Sequence, residues 1–229
     1  MPALPVAQID FAPLHERVYY ELRSALITGK FTPGQKLTSR KLAAALGTSD
    51  MPVRVAISRL TAERGLIQLA NGTFIVPVLS RGQFREVMEL RALLEGRATA
   101  LACGRINAAA FRRLHKYSAE LDAASEEADI VRYLEINQKL KFTIYAHCVS
   151  FVLRGLIELL WLQAGPVLRY HSRVLQDITK INFHREAIVG LERGDRAAAA
   201  RAIARDIKAG MRTLLKVGQF RADNDHGSS

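Results

Sequence analysis

Apolar residues follow a helical rhythm along most of this chain, broken once by a short alternating stretch before residue 80. In "LHERVYYELRSALITGK", Leu14, Val18, Leu22 and Leu26 recur in steps of four, with Ala25 and Ile27 widening the stripe. That spacing predicts an amphipathic helix ended by Gly29. "FTPGQKL" reads as a turn, with Pro33 and Gly34 at the positions a tight bend favours. "TSRKLAAALG" offers Thr38 or Ser39 as an N-cap, a face of Leu42, Ala45 and Leu46, and Gly47 as a stop. "TSDMPVRVAISRLTAERG" opens on a second cap signal, Ser49 or Asp50. It carries Pro52 in the first turn, where a missing N–H costs nothing. Val53, Ala56, Ile57 and Leu60 form its inward stripe. "LIQLANGTFIVPVL" then alternates around Asn71-Gly72, a hairpin signal.

From Arg81 onward only helical periods remain. "FREVMELRALLEGRATALA" places Val87, Leu90, Leu94, Ala98 and Leu101 on one predicted stripe. Further helices are predicted over 108–124, 129–149, 152–163, 166–173 and onward, 182–192 and 195–217, with Gly194 as a stop and Asp195 as the next cap. The fold class is therefore mainly α: an N-terminal winged helix-turn-helix over 1–79, then an all-helical bundle of six or seven helices over 80–220. The tail "RADNDHGSS", over 221–229, has no apolar face and reads as disordered.

Charge is more informative than bulk composition. The formal net charge is +11, and both parts are basic: residues 1–79 hold nine Lys/Arg against five Asp/Glu, and residues 80–229 hold 24 against 17. A basic chain favours polyanions such as double-stranded DNA. No run of about 18 apolar residues predicts a transmembrane helix, and "MPALPVAQIDF" lacks the basic-then-apolar order of a secretion signal. The expectation is a cytoplasmic protein with no membrane partner, in which Cys103 and Cys148 are reduced, buried thiols.

In a winged helix-turn-helix the second helix presents its N-terminal end and outer face to the major groove. Here that face carries Arg54 and Arg59, and Arg40 and Lys41 lie at the start of the preceding helix. Exposed arginines also form weak surface ion pairs, so both readings stand for Arg54 and Arg59. "LTSRKLAAALGTSDMPVRVAISRL", followed by "GTFIV", resembles the signature of the GntR family of bacterial transcription regulators, over residues 14–77. The resemblance implies that Arg40 and Arg54 contact DNA and that the wing around Asn71, Gly72 and Thr73 approaches the minor groove or backbone. Many members place another DNA-contacting arginine where this chain has Asp50. Asp50 reads either as a cap of the recognition helix or as an acceptor for cytosine N4. Arg64 stands as an extra residue relative to the common pattern.

Residues 81–217, through "MELRALLEGRATALA", "INQKLKFTIYAHCVSFVL" and "FHREAIVGLERGD", resemble the FCD ligand-binding domain of the FadR-type branch. Many such domains hold a divalent metal with Asp or Asn, a His four residues later, and two further His. The matching positions are Asn137, Lys141, His184 and Asp206. Lys141 replaces the usual His, and an ammonium is a poor neighbour for Zn, Ni or Mn. Asn137, His184 and Asp206 alone make a thin ligand set, so a metal is possible but disfavoured. Lys141 is expected to pair with Asp206 and hydrogen-bond Asn137, or else to extend to solvent. His147 and His171 lack partners at ligand spacing. The resemblance points Arg91 into the effector cavity, where it would suit a carboxylate; the alternative is an ion pair with Glu95 one turn on.

These readings imply a homodimeric, ligand-responsive repressor on a pseudo-palindromic operator, with a small organic acid as effector. The alternative is a DNA-binding dimer whose helical part senses nothing. A metal-assisted hydrolase built on His184, Asp206 and Asn137 lacks a nucleophile–base pair and leaves the DNA-binding head unexplained, so no enzyme is expected.

Overall fold

The computed structural model describes residues 13–173 and 182–222. Helix α1 (Leu14–Ile27) buries Val18, Tyr19, Leu22, Ala25, Leu26 and Ile27, so the stripe holds except at Leu14, which is exposed at the first turn. Thr38 caps α2 (Ser39–Leu46) by accepting from the Lys41 N–H, and Gly47, at φ 62°, closes it in the left-handed region. Helix α3 (Asp50–Ala62) buries Val53, Ala56, Ile57 and Leu60. Asp50 is its first residue, and Ser49 occupies the N-cap position without a side-chain cap bond.

The hairpin is part of a larger sheet. Strands β1 (Lys36–Leu37), β2 (Ile67–Gln68) and β3 (Phe74–Ile75) form an antiparallel sheet in the order β1-β3-β2. The turn at Pro33-Gly34 thus also delivers an edge strand, with Gly34 N–H donating to Val76 and Val76 N–H to Gln35. Arg64 explains its own insertion. At φ 60° it takes the left-handed position that ends α3, and Gly65 can then pack where a Cβ would lie 2.7 Å from Leu162.

The second part comprises α4 (Arg81–Ala102), α5 (Ala108–Glu126), α6 (Ile130–Tyr145), α7 (Phe151–Leu168), a 3₁₀ turn (Arg169–Arg173), α8 (Phe183–Glu192) and α9 (Arg196–Val217). Side chains of Ser80, Asn107, Asp129, Ser150, Asn182 and Asp195 cap these helices. Helix α4 lies against α9 and α7, α5 against α6, and α8 against α9. Pro166 does not open a new helix as its position suggested. It lies inside α7, which runs on into the 3₁₀ turn. Just before it, Gly165 lets α7 approach α1 so closely that a Cβ would sit 2.6 Å from the Ile27 Cα and meet the Leu26 carbonyl.

Helix α7, with the turn that follows, forms the one described segment, Phe151–Ser172, that is long and apolar enough to cross a membrane by length and composition alone. Its packing against α1 and α4 explains that composition. Cys103 and Cys148 are buried free thiols. Arg221 N–H donates to the Leu79 carbonyl, so the predicted tail begins as a pairing segment. The rest of that tail lies outside the described residues.

Candidate functional site

Two groups of polar residues stand apart from the rest of the surface and core. The first is the outer face of α3 and its surroundings. Arg54 is 65% exposed, and its Nε donates to Asp50 Oδ2 at 2.5 Å, one turn back along the helix. The nearby Ser39 side chain and the hydrogen bond from Arg54 hold the Asp50 carboxyl below the usual carboxylate range. Asp50, the first residue of α3, therefore pairs with Arg54 rather than capping the helix through its side chain. Arg40 and Lys41 are exposed on α2. In the wing, Asn71 Oδ1 accepts from the Thr73 N–H at 3.0 Å, and Gly72, at φ 75°, completes the turn.

Arg59 behaves differently from Arg54. Its Nε donates to Glu63 at 3.1 Å, and its guanidinium lies 3.7 Å from the Tyr19 ring centre. Glu63 also accepts from the Tyr19 hydroxyl at 2.8 Å and lies 3.7 Å from Arg23. Burial and that hydrogen bond push the Tyr19 hydroxyl up to about 12. Arg59 thus belongs to a cluster joining α3 to α1. Met51, Val55 and Ser58, which lie off the inward stripe, are exposed beside Arg54. Two apolar side chains outside the core stripe of α3 were the available signal.

The second group lies inside the helical part. Arg91 and Glu95, on α4, are 2% and 0% exposed and meet at 2.7 Å. Glu95 also accepts from the Tyr145 hydroxyl at 2.5 Å and lies 3.9 Å from Lys141. Lys141 Nζ sits 2.6 Å from Asp206 Oδ2. His184 Nε2 lies 3.0 Å from Asn137 Oδ1 and 3.7 Å from Asp206. The expected Lys141–Asp206 pair therefore forms, while Asn137 turns to His184. Arg91 makes the ion pair with Glu95 and also borders a small cavity.

Electrostatics follow this arrangement. Burial alone would raise the Asp206 carboxyl, but the Lys141 ammonium holds it down at about 2. Burial drives the Tyr145 hydroxyl well up, with the Glu95 charge adding to it. Burial also lowers His184, and it lowers His171 to about 4. Arg91, Asn137, Lys141, His171 and Asp206 border a cavity of about 40 Å³ that Met88, Tyr133 and Leu168 also line. That is room for a few water-sized groups. Tyr145 and His171 carried no spacing signal in the sequence and join the cluster only through the packing of α6 and the 3₁₀ turn.

These residues do not fit a divalent metal. Lys141 places an ammonium on the carboxylate that would have to ligate, and Arg91 and Lys141 already balance Glu95 and Asp206. Among the described residues no three His, Cys, Asp or Glu converge as a ligand set.

One helix connects the two groups. On α7, Trp161 lies under the Arg91 guanidinium at 4.1 Å, while the next residue, Leu162, packs on Gly65 behind α3. Arg23 of α1 also reaches Glu158 of α7 at 3.1 Å.

Known proteins share both parts. Residues 14–75 match the family of bacterial regulatory proteins, gntR family, and residues 86–209 match the FCD domain. The chain belongs to the GntR family and carries an FCD domain. It is 31% identical over 154 residues to the HTH-type transcriptional regulator McbR of Escherichia coli, covering 67% of this chain and 70% of McbR. It is 38% identical over 96 residues to the Nta operon transcriptional regulator of Aminobacter aminovorans, covering 42% of this chain and 46% of that protein. The solved structure of E. coli McbR/YncC superposes with a TM-score of 0.84 at 26% identity, covering 90% of this chain and 99% of that one. This GntR-family chain is a DNA-binding transcription regulator and not an enzyme, with the FadR-type arrangement of head and helical domain.

Proposed function

We propose that this GntR-family regulator is a homodimeric repressor that binds a pseudo-palindromic operator and responds to a small organic acid without a metal. The observation that carries the DNA reading is the exposed face of α3, where Arg54 stands among Met51, Val55 and Ser58. A guanidinium suits guanine, and apolar side chains suit thymine methyl groups. Arg40 and Lys41, with the wing at Asn71, Gly72 and Thr73, then serve the flanking phosphates and minor groove. Exposed Leu90 and Leu93 on α4 support a paired helical domain, and a two-fold dimer demands half-sites spaced to match its heads.

The effector reading rests on Arg91 and Lys141 at the cavity. An incoming carboxylate competes with Asp206 for Lys141 and so loosens α9 from α6. Helix α7 carries the change to α3 through Trp161 and Leu162. A ligand acts only by favouring one arrangement over the other. The small cavity favours a second reading, a dimeriser that senses nothing. A thermal-shift titration with a panel of small mono- and dicarboxylates decides between them. Saturable stabilisation that Lys141→Met abolishes supports the sensor, and no shift across the panel supports the pure dimeriser. Sedimentation of wild type and Leu93→Glu tests the dimer.

A further inference from the structure

The acid at the head of α3 is the feature that DNA binding by itself leaves unexplained, since a carboxylate there repels phosphate. Its position relative to Arg54 supplies a role. Asp50 and Arg54 lie one turn apart, and the pairing engages only the Nε of the guanidinium. Among the described residues no protein group bonds Nη1 or Nη2 of Arg54. An arginine held by Nε projects its two terminal nitrogens end-on, the fork that guanine O6 and N7 accept together. The carboxylate also offsets part of the charge that draws a free arginine to any phosphate. The other carboxylate oxygen of Asp50, Oδ1, is buried without a hydrogen-bond partner among the described residues. With Oδ2 on Arg54 and Oδ1 buried, direct acceptance from cytosine N4 is the weaker use of Asp50.

We infer that Asp50 is a positioning residue for base specificity: it holds Arg54 end-on so that the recognition helix selects guanine and is restrained from binding phosphate indiscriminately. The inference rests on the DNA-binding reading and adds to it which residue sets the selectivity. Exposed Met51 and Val55 flank Arg54 on the same face and leave it no other charged neighbour on α3 there.

The test uses the full-length protein and a random-sequence duplex library, with wild type, Asp50→Asn, Asp50→Ala and Arg54→Ala carried through the same selection. Circular-dichroism melts confirm that each variant is folded. Wild type is expected to enrich a two-fold-related sequence with one strongly preferred guanine in each half-site. Arg54→Ala loses the preference at that base. Both Asp50 variants lose about tenfold of the same preference. Their binding to bulk random duplex is retained or strengthened, and its salt dependence steepens by about one released ion. A merely structural Asp50 would not move one base preference while sparing non-specific binding. The inference is overturned if the Asp50 variants keep the guanine preference at wild-type strength. It is equally overturned if they lose a cytosine preference that Arg54→Ala leaves intact. Enrichment of no sequence by wild type would instead refute the DNA reading itself, and the inference with it.

Discussion

Arg54 on α3 and Arg91 on α4 each pair with an acid one turn away, at 2.5 and 2.7 Å, yet Arg54 is 65% exposed and Arg91 2% exposed. The same local geometry therefore does two jobs. In water the Asp50–Arg54 pair adds little to stability, and its value lies in the conformation it gives a side chain that another molecule will meet. In the core, removal from water is so costly that Arg91 and Glu95 must be completed by further partners. Tyr145 and Lys141 supply that completion at Glu95, and Asp206 and His184 extend the chain from Lys141, so a buried electrostatic network lies beside a small cavity. The head leaves Arg54 exposed for a partner, while the helical domain satisfies its buried charges internally.

Removing Lys141 should disturb this contrast most. Lys141→Met strips Asp206 and Glu95 of a shared cation and is expected to cost about 3–5 kcal/mol in urea denaturation. A Lys141→Met, Asp206→Leu double variant recovers most of that loss, because no carboxylate is then left unpaired at position 206. An undiminished midpoint in the single variant would mean that the pair is not part of the core.

Acid should dissect the same network in two stages. His171 is held to about 4 against an ordinary 6.5, so the folded protein keeps it neutral where the unfolded chain takes a proton. Its contribution is full above pH 6.5 and is lost as pH falls towards 4; burial of His184 acts in the same direction. Asp206, lowered from 3.8 to about 2, contributes above 3.8 and its share is lost only below that, towards 2. A titration midpoint moved tenfold in proton concentration by folding is worth about 1.4 kcal/mol as an upper guide. Melts across this range should show His171→Gln flattening the first stage while leaving the second in place.

The head responds in binding and not in folding. Arg54→Ala is expected to weaken binding to a selected operator by about 1–3 kcal/mol in fluorescence anisotropy, with an unchanged denaturation midpoint. Smallest of all is the effect of Asp50→Ala on folding: the melt should not move, since the pair is exposed. A lower midpoint would assign Asp50 a structural role and erase the contrast with Glu95.

The same contrast governs which parts of the molecule could be read from its sequence. In the head, apolar residues face inward and charged ones outward, so the stripes of α1 and α3 and the left-handed stop at Gly47 were legible. Strand β1 was not, because two residues paired at a sheet edge show no period of their own. In α4 the rule is incomplete: Val87 and Ala98 of the predicted stripe are buried, but so are Arg91 and Glu95, while Leu90 is 40% exposed, so an apolar period alone misplaces part of the inward face. The family positions still located Lys141 and Asp206, since spacing survives a change of residue type. Tyr145 and His171 depend on tertiary packing and had no comparable mark.

Whether Lys141 does within the helical domain what a metal would otherwise do is decided by elemental analysis of the natively purified, never-chelated protein. The expected result is no stoichiometric Zn, Ni or Mn, both as purified and after incubation with excess ion and desalting. Retention of about one such ion per chain would contradict it, because no divalent cation can share Asp206 with the Lys141 ammonium.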